Sequence, residues 1–356
     1  MTDRAHFEAL DAADPLAALR DALTLPPGVR YFDGNSLGPQ PKTARTAVLR
    51  VLEQGWGEAL IGGILLGGIS SISGIMTSVT AAWSGHPDLS FSNAIGGIAA
   101  QTTFLAIADL TYRRANLEHA SASLSNLMQG ILLILMLTFA LFTLFVPNFS
   151  IWHVHPASFI LLGIYAFGTR LISQAQKQPM WRPIRTQETV EDEPDATLPD
   201  DSRQKIYLRF VLSAIIVGVA GYFVAKVAVS LSNLSGLSQS FVGALFTSVA
   251  TSLPELVISV SAVRQKALTL AVANIIGGNS FDVLFVAFSD FAYQGGSIYH
   301  AVGQEQAFIL SLSVLLSGVL LMGMLHRQRE GIANAGWESI TTIVLFLAGY
   351  AMLYTL

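Results

Sequence analysis

The sequence predicts an all-α, polytopic membrane protein of about nine transmembrane helices, with two inverted repeats and a short soluble N-terminal segment. Three observations predict this fold class: long apolar stretches, basic residues confined to alternate loops, and an internal repeat. Hydrophobic residues make up 52% of the 356 residues, charged residues make up 12%, and the mean hydropathy is +0.53. Soluble domains carry about 25% charged residues, so this composition excludes an ordinary soluble enzyme.

The charged residues are concentrated in two polar segments. Of the 44 charged residues, 13 lie in residues 1–57 and 12 lie in residues 174–205, which leaves 19 for the other 267 residues. Segments so poor in charge belong in a lipid bilayer, where a spanning helix needs about 20 mostly apolar residues. The net charge of −4 gives no basic surface for nucleic acid, and the absence of cysteine excludes disulfides and zinc–thiolate sites.

Nine apolar stretches are long enough to cross the bilayer. They lie at residues 58–83, 90–110, 124–146, 152–173, 206–231, 239–263, 267–291, 304–325 and 335–356. Residues 174–205 are rich in proline and acidic residues, which predicts a mostly disordered cytoplasmic linker. We therefore expect four regions: an N-terminal segment over 1–57, a first membrane region over 58–173, the linker over 174–205, and a second membrane region over 206–356.

The basic residues predict the orientation of the spans. They occur in the N-terminal segment and in every second loop, so that 19 of the 20 fall on one side of the membrane. The exception, Lys226, lies near the outer end of a span, where its long side chain can reach the interface. Because basic loops stay in the cytoplasm, we expect a cytoplasmic N-terminus in an integral protein of a bacterial inner (plasma) membrane.

The two membrane regions contain an internal repeat. Residues 62–109 align without gaps with residues 243–290 at an offset of 181, and 13 of the 48 positions are identical. The shared pattern includes Asn-x-Ile-Gly-Gly, which begins at Asn93 in one copy and at Asn274 in the other. The loop charges predict that the two copies enter the membrane from opposite sides. Repeats of opposite orientation are typical of secondary transporters.

Two acids lie deep inside predicted spans, and they are the strongest site candidates. Glu255 and Asp282 both fall in the second copy. An acid in hydrocarbon costs at least about 2.5 kcal/mol on insertion scales, so such residues usually serve a function. No basic residue lies at comparable depth in these spans, which makes a cation or a proton the simplest partner. The alternative is a protonated carboxyl that forms a hydrogen bond between helices.

Helix-weakening residues lie at matching places in the two copies. Pro254 removes a backbone donor and predicts a break in its helix. Broken spans expose carbonyls that can coordinate cations, and hydroxyl groups add further oxygen ligands. The hydroxyl candidates are Ser70, Ser71, Thr251 and Ser252. These small residues are equally typical of close helix packing. On an outer loop, His153 and His155 form a weaker metal candidate, for which a solvated pair is the simpler interpretation.

These motifs resemble those of a known family. The segment Thr251–Glu255, which reads TSLPE, and the segment Asn274–Asp282, which reads NIIGGNSFD, resemble the second repeat of the sodium/calcium exchanger (cation/calcium antiporter) superfamily. The resemblance extends over residues 58–356. It implies inverted five-helix repeats, central cation sites, alternating access, and transported ions such as Na⁺, Ca²⁺ or H⁺ in place of a cofactor. It also implies that Glu255 and Asp282 coordinate the cation, with Thr251 and Ser252 supplying oxygen ligands.

The sequence departs from this pattern at three places. Gly74 stands opposite Glu255 in the first copy, where calcium exchangers carry a second glutamate, and Gln101 stands opposite Asp282 and offers an amide oxygen. Two carboxylates suit a monovalent cation or a proton as well as Ca²⁺, which favours six to eight oxygens. Gly97 and Gly278 replace serines that many members carry. The first helix of the family, expected before residue 58, is missing.

The N-terminal segment resembles a different family. The run Tyr31–Gly38, which reads YFDGNSLG, and the later Gly55-Trp56-Gly57 resemble the start of kynureninase, a pyridoxal-phosphate hydrolase. Such an enzyme needs a large cofactor domain with a Schiff-base lysine, and nothing downstream predicts one. We therefore expect an apparent fusion that is a membrane transporter and not an enzyme. The alternatives are an inactive fusion or truncated remnant and, less favoured, a kynureninase-derived enzyme.

Overall fold

A computed structural model gives the architecture of the protein. It describes residues 71–111, 116–121, 123–177, 179–181, 184, 203–264, 267–328 and 336–356. The chain forms two compact units, Met1–Trp56 with Glu193–Phe210, and Gly57–Asp192 with Val211–Leu356. Of the first unit, the structure describes only residues 203–210, the beginning of a helix. The kynureninase-like segment and the predicted loss of a first helix lie outside the described residues.

The first half of the membrane unit is helical throughout its described residues. Its helices are α1 (Ile72–Trp83), α2 (Pro87–Thr111), α3 (Leu117–Ala120), α4 (Leu124–Thr143) and α5 (Pro156–Lys177). A single antiparallel bridge between Ile151 and Val154 shapes the loop before α5. The long helix α6 (Arg203–Ser235) then leads into the second half.

The second half contains the same kinds of helices, together with one π-helix. Its elements are α7 (Gln239–Phe241), the π-helix (Val242–Thr247), α8 (Ser248–Thr251), α9 (Leu253–Arg264), α10 (Leu268–Asp282), α11 (Leu284–Ala292), α12 (Ile298–Ala301), α13 (Gln304–His326) and α14 (Trp337–Leu353). Helices α10 and α11 together make one membrane-length span, interrupted only at Val283.

The described helices agree with the predicted fold class. Six of them are long and apolar enough to cross a membrane, and the bent pair Gln239–Thr251 and Leu253–Arg264 makes a seventh candidate span. Two shorter apolar helices, α1 and α14, lie where the sequence predicts the first and last spans. Each of the nine apolar stretches therefore contains helix in the described part of the chain, and an all-α polytopic membrane protein is confirmed.

The helices differ in how deeply they are buried within the protein. In an 18-residue apolar window of each span, 94% of the window is buried in Pro87–Leu110 and 89% in Leu268–Ala292, whereas only 22% is buried in Pro156–Gln176 and in Ala214–Ser235. Thus α2 and the α10–α11 span form the centre, and α5 and α6 face outward with large apolar side chains, as lipid contact requires.

A close crossing of α2 over the π-helix depends on Gly96. A Cβ atom at this position would lie 2.5 Å from the Ala244 Cα and carbonyl oxygen, so only glycine permits this approach. The Ala244 carbonyl, in the loosened π-helical turn, accepts a hydrogen bond from the Tyr350 hydroxyl at 2.7 Å. The first repeat, the second repeat and the last helix are therefore joined at one buried point.

The repeat offset of 181 holds for the helices themselves. Helix α1 corresponds to α9, and α3 corresponds to α12, with both ends of each helix shifted by 181 residues. The starts of α5 and α14, Pro156 and Trp337, differ by the same number. The sequence repeat recognised over residues 62–109 thus extends through both halves of the membrane unit.

Two buried aspartates at equivalent positions hold equivalent helix ends. Asp290 accepts hydrogen bonds from the backbone N–H groups of His155 and Ile298, both at 2.8 Å, and from the Ser158 hydroxyl at 2.7 Å. At the offset of 181, Asp109 accepts from the corresponding three donors, the N–H groups of Leu117 and Gly336 and the Ser339 hydroxyl. Each carboxylate satisfies N-terminal donors that the helices cannot satisfy themselves.

Candidate functional site

Both deep acids lie beside breaks in their spans. The span that contains Glu255 bends by 45° between α8 and α9, with Ser252 outside helical geometry at the bend. Pro254 follows the bend, and because it lacks an N–H group it cannot donate to the carbonyl four residues earlier. The second acid, Asp282, is the last residue of α10, directly before the interruption at Val283. The break predicted at Pro254 is therefore present in the structure.

Helix geometry places the two carboxyl groups inside the protein. Glu255 lies in the first turn of α9, where the positive end of the helix dipole favours a negative charge. Glu255 is 1% exposed and Asp282 is 2% exposed, and both line the same cavity. Among the described residues, no group of three or more His, Asp or Glu is arranged to hold a metal ion. The cavity thus contains two acids from one repeat.

Side chains of the first repeat hold the Asp282 carboxylate in place. The Ser71 hydroxyl donates to Oδ1 and the Gln101 Nε2 donates to Oδ2, both at 2.6 Å. The same Nε2 atom donates to the Ser252 hydroxyl oxygen at 3.2 Å. Both oxygens of Asp282 act as acceptors, which suits an ionised carboxylate. Gln101 Oε1 is buried and has no hydrogen-bond partner among the described residues, so it remains available as a ligand.

The cavity is small and mixed in character. Its volume is about 10 Å³ for the centre of a water-sized sphere, which is about the space of one water molecule or one dehydrated ion. Its lining residues are Ser71, Gly74, Asn93, Ala94, Gly97, Gln101, Thr251, Ser252, Glu255, Asp282 and Phe285. Six of the seven predicted site residues are therefore brought together here. The seventh, Ser70, lies outside the described residues.

The site prediction did not include five of the lining residues, which are Gly74, Asn93, Ala94, Gly97 and Phe285. The Asn93 Nδ2 donates to the Gly74 carbonyl at 3.2 Å and to the Ser78 hydroxyl at 2.8 Å, which fixes α1 against α2. Gly74 and Phe285 contribute only apolar atoms apart from the Gly74 backbone. The signal for Asn93 was present in the shared repeat motif, but nothing in the sequence indicated that the Phe285 ring would reach this cavity.

A second polar cluster lies at the ends of α2 and α14, away from the cavity. The Asn116 side chain donates to Glu338, and Glu118 lies next to Glu338 and Asp109. Burial, together with the charges of these two neighbouring acids, raises the pKa of Glu118 well above its usual value. The sequence alone did not identify this cluster, because Glu338 lies 222 residues from Asn116 along the chain.

The interpretation of His155 as part of a solvated pair is wrong. His155 is only 6% exposed. Its backbone N–H group donates to Asp290, and its ring Nδ1 accepts from the backbone N–H group of Ala157 at 3.1 Å. Burial and the neighbouring His300 lower the pKa of His155, and Asp290 partly offsets this effect. His153 is exposed, as expected.

The family of the chain follows from its sequence. The model of the sodium/calcium exchanger protein family matches residues 45–172 and 205–355, which together make up most of the chain. The chain therefore belongs to the sodium/calcium exchanger protein family. This is a family of membrane transporters, so the prediction of a transporter rather than an enzyme is confirmed. The first matched stretch begins at residue 45, ahead of residue 58, where we expect the first membrane region to begin.

Solved transporter structures share the fold. The sodium-calcium exchanger NCX_Mj, soaked with 2.5 mM Na⁺ and 0.1 mM Sr²⁺, is 19% identical, with a TM-score of 0.57 over 86% of this chain and 91% of that one. The H⁺/Ca²⁺ exchanger CAX is 13% identical, with a TM-score of 0.60 over 88% of this chain and 80% of that one. At these identities the likeness establishes the fold alone.

The N-terminal segment is similar to curated kynureninases. The kynureninase of Burkholderia mallei (strain SAVP1) is 51% identical over 61 residues, which is 17% of this chain and 15% of that enzyme. The kynureninase of Xanthomonas campestris pv. campestris (strain B100) is 51% identical over 74 residues. The chain thus spans less than a fifth of the curated relatives that it matches, and the predicted resemblance of this segment is confirmed.

Proposed function

We propose that this member of the sodium/calcium exchanger family is a secondary active cation antiporter, in which the cation binds between Glu255 and Asp282. The observation that carries the proposal is the meeting of two almost fully buried acids in one ion-sized cavity. Burying charge is costly unless a partner compensates it, and a cation between the two carboxylates would do so.

The remaining polar groups of the cavity complete the proposed site. Gln101 Oε1 and the hydroxyl oxygens of Thr251 and Ser252 are hard oxygen donors, as alkali and alkaline-earth cations prefer. The Ser71 and Gln101 hydrogen bonds orient the Asp282 carboxylate within the proposed site. The corresponding role of Ser70 stays a prediction from the sequence.

The arrangement of the two halves supports alternating access as the proposed mechanism. Each half contributes one deeply buried span to the centre, and the repeated helices correspond at a constant offset. If the halves have opposite orientation in the membrane, as the loop charges predict, their rearrangement opens the cavity to one side at a time. The exchanged ion, whether H⁺ or a second cation, would use the same carboxylates in turn.

The first test is exchange by the full chain after purification and reconstitution into liposomes. We expect radiolabelled Na⁺ or Ca²⁺ inside the vesicles to leave when a counter-cation or protons are supplied outside. Glu255→Gln and Asp282→Asn remove the charge at nearly constant volume, so flux should fall to the level of protein-free liposomes. Membrane insertion should be unaffected.

The control variant is Glu305→Gln, which removes an acid that accepts from Ser240 and does not line the cavity. It should retain exchange. Flux like that of the unaltered protein in Glu255→Gln would contradict the proposed site. No exchange by the unaltered protein, with any of these cations, would instead support the alternative of an inactive remnant. We propose no kynureninase activity, and expect no pyridoxal absorbance, because the chain spans 15% of the matched enzyme.

A further inference from the structure

One wall of the central cavity consists of Gly74 and Phe285. Gly74 corresponds to Glu255 at the repeat offset of 181, so the first repeat has no side chain where the second has a carboxylate. A Cβ atom at Gly74 would lie only 2.7 Å from Phe285 Cε2, and 3.5 Å from its Cδ2 and Cζ atoms. The Phe285 ring therefore occupies the space in which any side chain at position 74 would begin.

The ring is buried in an aromatic cluster. Phe285 is 3% exposed and packs edge-to-face with Phe281, with centroids 6.1 Å apart and ring planes at 85°. Phe281 in turn contacts the rings of Tyr165 and Phe288, with centroids at 5.9 and 6.5 Å. Edge-to-face ring pairs of this kind add a favourable contact beyond the area that they bury. The ring cannot swing aside without disrupting this aromatic cluster.

We propose that Phe285, seated over Gly74, determines cation selectivity by restricting the site to one monovalent cation or proton and excluding divalent cations. This inference rests on the proposed function. The two carboxylates belong to one repeat, and the wall formed by Gly74 and Phe285 offers no side-chain oxygen.

The physical reason is that the cost of dehydrating an ion and its attraction to the carboxylates depend differently on the charge of the ion. The cost of removing water from an ion grows with the square of its charge, so it is about four times larger for a divalent ion than for a monovalent ion of equal radius. The attraction to the two carboxylates only doubles. Ca²⁺ requires six to eight oxygen ligands, so an apolar wall that blocks part of its shell penalises Ca²⁺ far more than Na⁺.

The test compares Na⁺ and Ca²⁺ in the reconstituted full chain. In the unaltered protein, CaCl₂ should compete poorly with radiolabelled Na⁺ uptake. Phe285→Leu removes the ring edge above Gly74 and should improve competition by Ca²⁺ relative to Na⁺ by about tenfold. The double variant Gly74→Glu with Phe285→Ala adds a third carboxylate in the vacated space and should take up radiolabelled Ca²⁺.

The matched control is Phe104→Leu, the equivalent position of the first repeat, which does not line the cavity. Its Ca²⁺-to-Na⁺ ratio should equal that of the unaltered protein. Thermal stabilisation of each purified variant by NaCl or CaCl₂, against choline chloride, reports binding and folding independently of flux. If Phe285→Leu does not fold, Phe285→Met, which better keeps the volume of the side chain, replaces it.

Two results would overturn the selectivity proposal while leaving antiport intact. One is radiolabelled Ca²⁺ uptake by the unaltered protein that equals its Na⁺ uptake. The other is an unchanged Ca²⁺-to-Na⁺ ratio in a folded Phe285 variant. By contrast, if the unaltered protein shows neither cation flux nor thermal stabilisation by cations, the proposed function itself is overturned.

Discussion

Gln101 is the residue that connects the two repeats at the cavity. It corresponds to Asp282 at the repeat offset, and its Nε2 donates to that same carboxylate. An acid in its place would put two negative charges within hydrogen-bond distance and disfavour the ionised form of both. An amide instead donates to the carboxylate with one end and leaves an oxygen at the other. The difference between the repeats at this position therefore keeps a further negative charge away from Asp282.

Replacing Gln101 with leucine should weaken cation binding. The change keeps most of the volume but removes both hydrogen bonds of Nε2 and the oxygen Oε1. Because a hydrogen bond to a charged group contributes about 1.5–3 kcal/mol, we expect at least a tenfold higher half-saturating cation concentration. Uptake of radiolabelled Na⁺ as a function of its concentration measures this directly.

Gln306→Leu is the control for this change. Gln306 is also fully buried, but its Nε2 donates to Ser92 and Ser240 and it does not line the cavity. The Gln306→Leu variant should be less stable than the unaltered protein but should have the same half-saturating cation concentration. Equal effects of the two variants on half-saturation would show that Gln101 acts through packing alone.

Among single residues, the repeat supplied a second copy against which each candidate could be compared. The positions of Glu255, Asp282 and Gln101 could be matched between the copies, and all three line the cavity. Phe285 was missed because its role depends on which way a ring points, which no periodicity reveals. The burial of His155 was also missed, because only the fold brings Asp290 next to the backbone N–H group of His155.

Among the helices, the paired aspartates explain how the ends of each half are fixed. Asp290 connects the end of α11 with the starts of α12 and α5, and Asp109 does the same for α2, α3 and α14. Buried N-terminal N–H groups without partners are costly, so each aspartate stabilises two helix starts at once. The sequence repeat contained this signal, because an acid is identical in both copies at these positions.

Asp290→Ala should destabilise the protein without removing a cavity ligand. The change leaves the His155 and Ile298 N–H groups and the Ser158 hydroxyl without their acceptor. At about 1–3 kcal/mol for each buried unsatisfied group, we expect a loss of about 3 kcal/mol or more. Thermal unfolding in detergent should show a lower Tm by several degrees.

Asp88→Ala provides the comparison for this variant. Asp88 is half-buried and accepts a hydrogen bond from the Gly303 N–H group at 3.2 Å, with the Gln306 side chain as its second neighbour. Its replacement should shift Tm much less. If Asp290→Ala unfolds at the same temperature as the unaltered protein, the helix starts find other acceptors and the anchoring role is wrong.

Helix positions could be predicted closely, whereas their interruptions could only partly be predicted. Apolar length located every span, and Pro254 indicated the 45° bend. The π-helix Val242–Thr247 and the short helices α3 and α12 carry no comparable local signal. They depend on long-range partners, such as the Tyr350 hydroxyl that satisfies the Ala244 carbonyl.

For the whole molecule, the constant offset of 181 shows what the two halves share and where they differ. It relates the described helices of the first half to those of the second. Applied to α6, it points to residues 22–54, the part of the sequence that resembles kynureninase. The absence of a first transmembrane helix there stays a prediction, as do the four-region division and the cytoplasmic N-terminus.

The orientation of the whole molecule can be tested with single cysteines, because the chain has none of its own. The loop charges place Asn148, which is exposed, outside the cell and Gln187, in the acidic linker, inside. In intact cells, a membrane-impermeant maleimide should label Asn148→Cys, and should label Gln187→Cys only after permeabilisation. The opposite pattern would invert the topology, and labelling of both positions from one side would refute the predicted number of spans between them. Exchange activity of each variant controls for folding, so the labelling reports the working orientation of the transporter.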